Sequence, residues 1–264
     1  MTEPQAFKAF IAPWRQTFPA LALAELFASG GEAEPLLART VLLLECCDAA
    51  WRVSDTRVGT AKLGWWAEEW PAIQRGQGGH PLAVALRPLP GAAPVAVLWR
   101  ELDAQGAADE TARFAAYAAI ADDFARAFHR PESRHFAGFR FLAEVLSIGR
   151  HLAAVRVGQS LAVAALPRDW RARHQLQADA GWLASAAGRA ATQAASLALA
   201  ERAGAHLQQS LAAVPAISWP GQRGARVLAA LALKELRDLG RPEGRMTRFR
   251  DLYMAWRLAM ATAG

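Results

Sequence analysis

Apolar residues recur at three- and four-residue intervals along almost the whole chain, and strand signals are nearly absent. That interval is the period of a helix face, whereas a half-buried strand alternates every second residue. Val and Ile form few runs, and no Asn-Gly or Asp-Gly pair offers a hairpin turn. Much of the remainder is Ala, the strongest helix former. The expected fold class is therefore all-α.

Proline, glycine and capping residues divide the helices. Pro19 opens a short helix through Phe27, and Gly30-Gly31 ends it. Pro35 starts an apolar helix reaching about Trp51. Ser54-Asp55 breaks that helix and caps the next, which runs to about Ile73. Gly76, Gly78 and Gly79 form a loop, with Pro81 after it at the start of a turn of helix. The stretch from Arg87 to Pro94 is a connection. Helices are expected over 94–105, 109–128 and 133–156, then a turn at Pro167-Arg168-Asp169. One long Ala-rich helix is expected from Asp179 to Gln209, a loop from Pro215 to Gly224, and closing helices over 224–238 and 246–261. No linker or repeat interrupts the pattern, so residues 1–264 read as a single domain of about ten helices, more than a four-helix bundle needs.

The chain carries a net charge of +6, with Lys only at positions 8, 62 and 234 and Arg elsewhere. A basic balance suits nucleic acid, an anionic membrane surface or a phosphorylated ligand. The arginines are dispersed, so charge alone indicates solubility more than a site. Cys46 and Cys47 are adjacent in an apolar run and have no partners elsewhere. They read as small buried hydrophobes in a reducing compartment, without a disulfide framework or zinc site. The first ten residues lack the apolar core of a secretory signal, and no run of about 18 apolar residues could span a bilayer. The expected location is the cytoplasm, with the periphery of the inner membrane as an alternative.

Several chemistries lack their motifs. There is no HExxH zinc pair, no GxGxxG after a strand, no Walker loop and no GxSxG elbow. Asp122-Asp123 is an acidic doublet, but Arg126 stands where a third carboxylate would be needed. An i,i+4 Asp122–Arg126 pair on a solvated face accounts for it. Glu68-Glu69 reads as helix surface or as the rim of a partner site. Ten tryptophans are unusual, and Trp51, Trp65, Trp66 and Trp70 occupy two consecutive helices, as core or as the lining of an apolar cavity.

Three segments carry a resemblance. The first is Glu45 to Trp70, with Ser54-Asp55, Gly59, Lys62-Leu63 and Trp65-Trp66, followed by His80-Pro81-Leu82. The second is Leu142 to Pro167 with its Leu-Pro ending, and the third is Leu252 to Ala261. Together they resemble the squalene/phytoene synthase family, in particular its short bacterial members and the related mitochondrial factor needed for complex I assembly. The resemblance implies an isoprenoid synthase-like helical domain. It also implies a reaction in which diphosphate leaves a prenyl chain with help from Mg²⁺, a hard cation held by carboxylates on two facing helices.

Against that pattern the acidic motifs are depleted. The first falls at Cys47-Asp48-Ala49-Ala50-Trp51, leaving Asp48, with Glu45 one turn earlier as the only companion. The second falls on Ala154 and Gly158, neither of which has a ligating side chain. The resemblance thus implies a catalytically degenerate member, a pseudoenzyme binding an isoprenoid lipid or supporting assembly of a membrane-associated complex, with no cofactor expected. Prenyl diphosphate, another isoprenoid lipid, a protein partner and peripheral membrane contact are the partners considered. The alternative is an active prenyltransferase using Mg²⁺ at Glu45 and Asp48. A nucleic-acid-binding helical protein rests on the pI alone, and no nucleic acid is expected. Candidate binding residues are Lys62, Trp65, Trp66, Arg150 and Arg156, with Arg150, Arg156, His151 and Lys62 also able to hold a phosphate without metal.

Overall fold

A computed structural model describes residues 2–28, 31–86, 88–103, 106–214 and 223–238. Within them the chain forms helices and turns and no strand, as the helical period predicts. The helices are α1 (Glu3–Thr17), α2 (Pro19–Phe27), α3 (Ala33–Trp51), α4 (Thr56–Gln74), α5 (Ala96–Asp103) and α6 (Glu110–Phe128). They continue as α7 (Phe136–Arg156), α8 (Ser160–Ala164), α9 (Arg168–Arg173), α10 (Ala180–Leu183), α11 (Ala186–Ala212) and α12 (Arg223–Asp238).

The centre of the arrangement is α7, which packs against α3, α6, α11 and α12. Every residue from Phe141 to Ile148 is buried, so over two turns this helix has no solvent face. Its polar side chains must then find partners inside. Glu144 receives a hydrogen bond from His206 of α11 at 2.7 Å. The Ser147 hydroxyl donates back to the Ala143 carbonyl at 2.7 Å. Cys46 and Cys47 of α3 are fully buried free thiols. Burial pushes both thiols well above their ordinary range.

Local chemistry explains most boundaries. The Asp55 carboxylate caps α4 by accepting from the Arg57 backbone N–H at 2.8 Å, and Asp109 caps α6 through Ala112 at 2.8 Å. The two segments come close enough that a Cβ on Gly59 of α4 would lie 2.3 Å from the Ala49 carbonyl of α3. Asp122 pairs with Arg126 at 2.5 Å, as its i,i+4 spacing predicts.

Four expectations change. Residues 3–17 form α1, which no signal before Pro19 announced; Pro4 sits in the first turn where its missing N–H is harmless, and Phe7 and Ile11 bury one stripe. The run from Asp179 to Gln209 is not one helix. Asp179 accepts from the Trp182 N–H at 2.8 Å and Ser185 from the Gly188 N–H at 3.0 Å, so two caps start two helices, α10 and α11. Gly188 also sits where a Cβ would meet the Trp182 carbonyl at 2.1 Å. Pro167 precedes a short helix, α9, and Pro81–Ala85 is a turn. The expected closing helix at 246–261, most of the 215–224 loop and the Leu252 to Ala261 segment lie outside the described residues.

Gly59→Ala is expected to cost about 2 kcal/mol, since the methyl group must displace backbone where α3 and α4 meet. A lower denaturation midpoint with unchanged helical circular dichroism is the expected observation; an unchanged midpoint would mean that the contact is looser than this geometry.

Candidate functional site

The two candidate carboxylates, Glu45 and Asp48, lie one turn apart on α3, and Asp48 is engaged by arginines. Arg150 of α7 binds Asp48 through two parallel bonds, Nε to Oδ1 and Nη2 to Oδ2, each 2.5 Å. Fork-on-carboxylate geometry of this kind is among the strongest side-chain contacts. Arg52 adds a longer contact to Asp48 at 3.6 Å. The Arg150 guanidinium also lies over the Trp14 ring, 5.5 Å from its centroid. The Trp14 indole also favours the ionised form of Glu45. Arg150 thus joins α7 to Asp48 of α3 and to the Trp14 ring of α1.

The opposite wall is closed by different means. Trp51, at the last position of the first motif, is completely buried and stacks on His151 with ring centroids 4.7 Å apart. His151 Nε2–H donates to the Ala162 carbonyl at 2.7 Å, while Nδ1 accepts from the Tyr117 hydroxyl at 2.5 Å. Burial, reinforced by the nearby Arg113, holds the imidazole neutral with a pKa near 3. Ala154 is buried, and α7 ends two residues later. Gly158 adopts φ +73°, its N–H bonds the Val155 carbonyl, and the Gln159 N–H bonds the Ala154 carbonyl. This is a glycine-dependent Schellman stop. The position that the resemblance assigns to the second carboxylate is therefore a left-handed helix terminus and not a point on a helix face.

This donor set does not fit the Mg²⁺ cluster that the resemblance implies. Asp48 has both oxygens on a guanidinium, and the facing segment offers Ala154 on α7 and Gly158 just beyond it. Among the described residues no group of three or more His, Cys, Asp or Glu could hold a metal ion. Mg²⁺ demands several oxygen ligands in near-octahedral array.

Two concave regions flank the Asp48–Arg150 pair. One is a cleft of about 280 Å³ lined by Phe10, Glu45, Lys62, Trp65, Trp66 and His80. The other is an apolar slot of about 210 Å³ between the α1–α2 junction, α3, α7 and α12, lined by Phe18, Leu44, Val145, Leu146 and Leu236 among others, with Arg150 in its wall. Lys62, Trp65 and Trp66 are thus brought together, with Glu45, and Arg150 lines the separate slot. Arg156 is the last residue of α7. His151 lies in the interior, so it offers nothing to a phosphate. Sequence reasoning missed Phe10 and Trp14, because α1 was not expected. It also gave Glu69 too small a role: its carboxylate accepts from the Gly79 N–H at 2.5 Å and anchors the loop that presents His80.

Two outcomes are expected. In a double-mutant cycle on Asp48→Asn and Arg150→Ala, a coupling of about 1.5–3 kcal/mol should appear in urea denaturation; additive losses would mean no such pair in solution. Stability should also fall with acid. The pKa of His151 is depressed in the folded state, so its contribution is complete above the unfolded value of about 6.5 and is lost as pH falls toward 3, at up to about 1.4 kcal/mol per pH unit. Denaturation midpoints at pH 7.5, 6 and 5 measure this, and His151→Phe should flatten the slope.

No family model matches the sequence, and no curated protein matches it. The fold is similar to a crystal structure of a dehydrosqualene synthase in complex with ligand, with a TM-score of 0.60 and 14% identity over 99% of this chain and 98% of that one. At that identity the likeness concerns the fold alone, which is all-α and isoprenoid synthase-like.

Proposed function

We propose that this protein uses an isoprenoid synthase-like fold to bind an isoprenoid-type lipid without ionising a prenyl diphosphate. The observation that carries the reading is the bidentate Asp48–Arg150 pair at 2.5 Å. A guanidinium fixed on the remaining motif aspartate supplies positive charge where a metal-dependent mechanism would need carboxylate oxygens. Trp51 and His151 fill space between the same two helices, and the Schellman stop at Gly158 removes the facing ligand position.

Binding keeps a physical basis when ionisation does not. The slot beside Leu44, Val145 and Leu236 is apolar, and burying hydrocarbon there gains about 25 cal/mol for each Å² removed from water. A dry cavity of roughly 150 Å³ accepts a benzene ring, so this slot admits a branched hydrocarbon segment of somewhat greater bulk. Arg150 and Glu235 also line it, so its wall carries charge of both signs at one end. The similarity to a dehydrosqualene synthase supports a lipid of this chemical class as the ligand.

Diphosphate release from farnesyl or geranylgeranyl diphosphate, with and without Mg²⁺, tests the reading. No release is expected from folded protein, whereas farnesol should bind saturably and Ala153→Phe, which fills the slot, should weaken it at least tenfold. Mg²⁺-dependent release that Asp48→Ala abolishes would make the protein an active prenyltransferase and overturn the proposal.

A further inference from the structure

The cleft at Phe10, Glu45, Lys62, Trp65, Trp66 and His80 is separate from the apolar slot and has its own chemistry. Four rings form a connected wall. His80 meets Phe10 at 4.7 Å, Trp66 at 4.7 Å and Trp65 at 5.5 Å between centroids, and the two tryptophans meet edge to face at 5.0 Å. The wall is held in place from behind. Glu69 anchors the loop at Gly79, and the Leu82 N–H donates to His80 Nδ1 at 3.1 Å. Burial keeps His80 neutral, with a pKa near 4, so it adds an aromatic face and no competing positive charge.

A half-buried carboxylate opens into this wall. The Trp14 indole favours the ionised form of Glu45, and among the described residues no salt bridge within 4 Å engages this carboxylate. Its pKa is raised, first by burial, with Lys62 opposing the shift from a greater distance. A desolvated carboxylate beside aromatic faces is a site for a soft organic cation, which gains from both the charge and the ring quadrupoles. Lys62, also in the cleft, would repel a simple cation and attract an anion. The two demands are met together by a zwitterion whose cationic and anionic groups are neighbours.

We propose that this cleft binds a phosphocholine-type zwitterion, with its quaternary ammonium against Glu45 and the aromatic wall and its phosphate on Lys62. A trimethylammonium group makes no strong hydrogen bonds, so it suits a cleft whose walls are mainly rings. The mouth is formed by Trp65, 43% exposed, with Val58, 47% exposed, one helical stripe away on α4. Such a rim is compatible with a free small molecule or with the headgroup of a lipid in a bilayer. The proposal stands independently of lipid binding in the slot, because the cleft and the slot share no lining residue among those described.

Titration of the intact chain with phosphocholine, followed by tryptophan fluorescence and calorimetry, tests it. Choline and inorganic phosphate serve as single-charge controls, and phosphatidylcholine vesicles in a sedimentation assay serve as the lipid arm. Saturable phosphocholine binding is expected, at least tenfold tighter than either control. Glu45→Gln should weaken it at least tenfold, and the half-exposed Trp65→Ala, which leaves the core intact, about fivefold. Binding of soluble phosphocholine without vesicles identifies a free zwitterion, and binding of both identifies a headgroup; either supports the site. No saturable response to phosphocholine or vesicles, a response equal to that of phosphate alone, or undiminished binding by folded Glu45→Gln would overturn it.

Discussion

The rest of the structure depends on one constraint, the burial of α7 on every side from Phe141 to Ile148. A helix with neighbours on every side has no solvent to satisfy its polar groups, and an unpaired buried group costs on the order of 1–3 kcal/mol. Three polar side chains on α7 each fix a neighbouring element. Glu144 fixes His206 of α11, His151 fixes Tyr117 of α6 and the Ala162 carbonyl of α8, and Arg150 fixes Asp48 of α3. These bonds set the register of the helices around α7, while the apolar contacts between them supply most of the stability.

The same bonds underlie the proposed role in binding without ionisation. A cavity that ionises a diphosphate needs carboxylates facing one another across open space. Here the facing positions are joined. The Asp48–Arg150 pair bridges α3 and α7 directly, and Trp51 and His151 stack between them. Where α7 would continue to a further ligand, the chain turns left-handed at Gly158. Charge neutralisation, cavity filling and helix termination act at neighbouring positions and in the same direction.

Concavity survives at the edges, on both sides of the closed centre. The slot is apolar with a guanidinium in its wall, and the cleft is aromatic with one carboxylate and one ammonium. Trp14 of α1 lies near both, under the Arg150 guanidinium and beside Glu45.

By itself, the sequence determined the helical class, because a three- and four-residue apolar period admits no alternative burial scheme. It also determined the cap at Asp55 and the Asp122–Arg126 pair, because these are bonds between near neighbours in the chain. That Ala154 and Gly158 offer no side-chain ligand is legible from their identity alone. The sequence concealed α1, which no signal before Pro19 announced, and the division at Ser185, where a cap overrides Ala propensity. Tertiary structure alone decided that Arg150 grips Asp48 across 102 positions of chain, that Trp51 meets His151, and that Phe10 and His80 complete the cleft around Glu45. Those contacts depend on how separate helices are rotated against one another, and that rotation follows from packing the whole core, which no local spacing encodes.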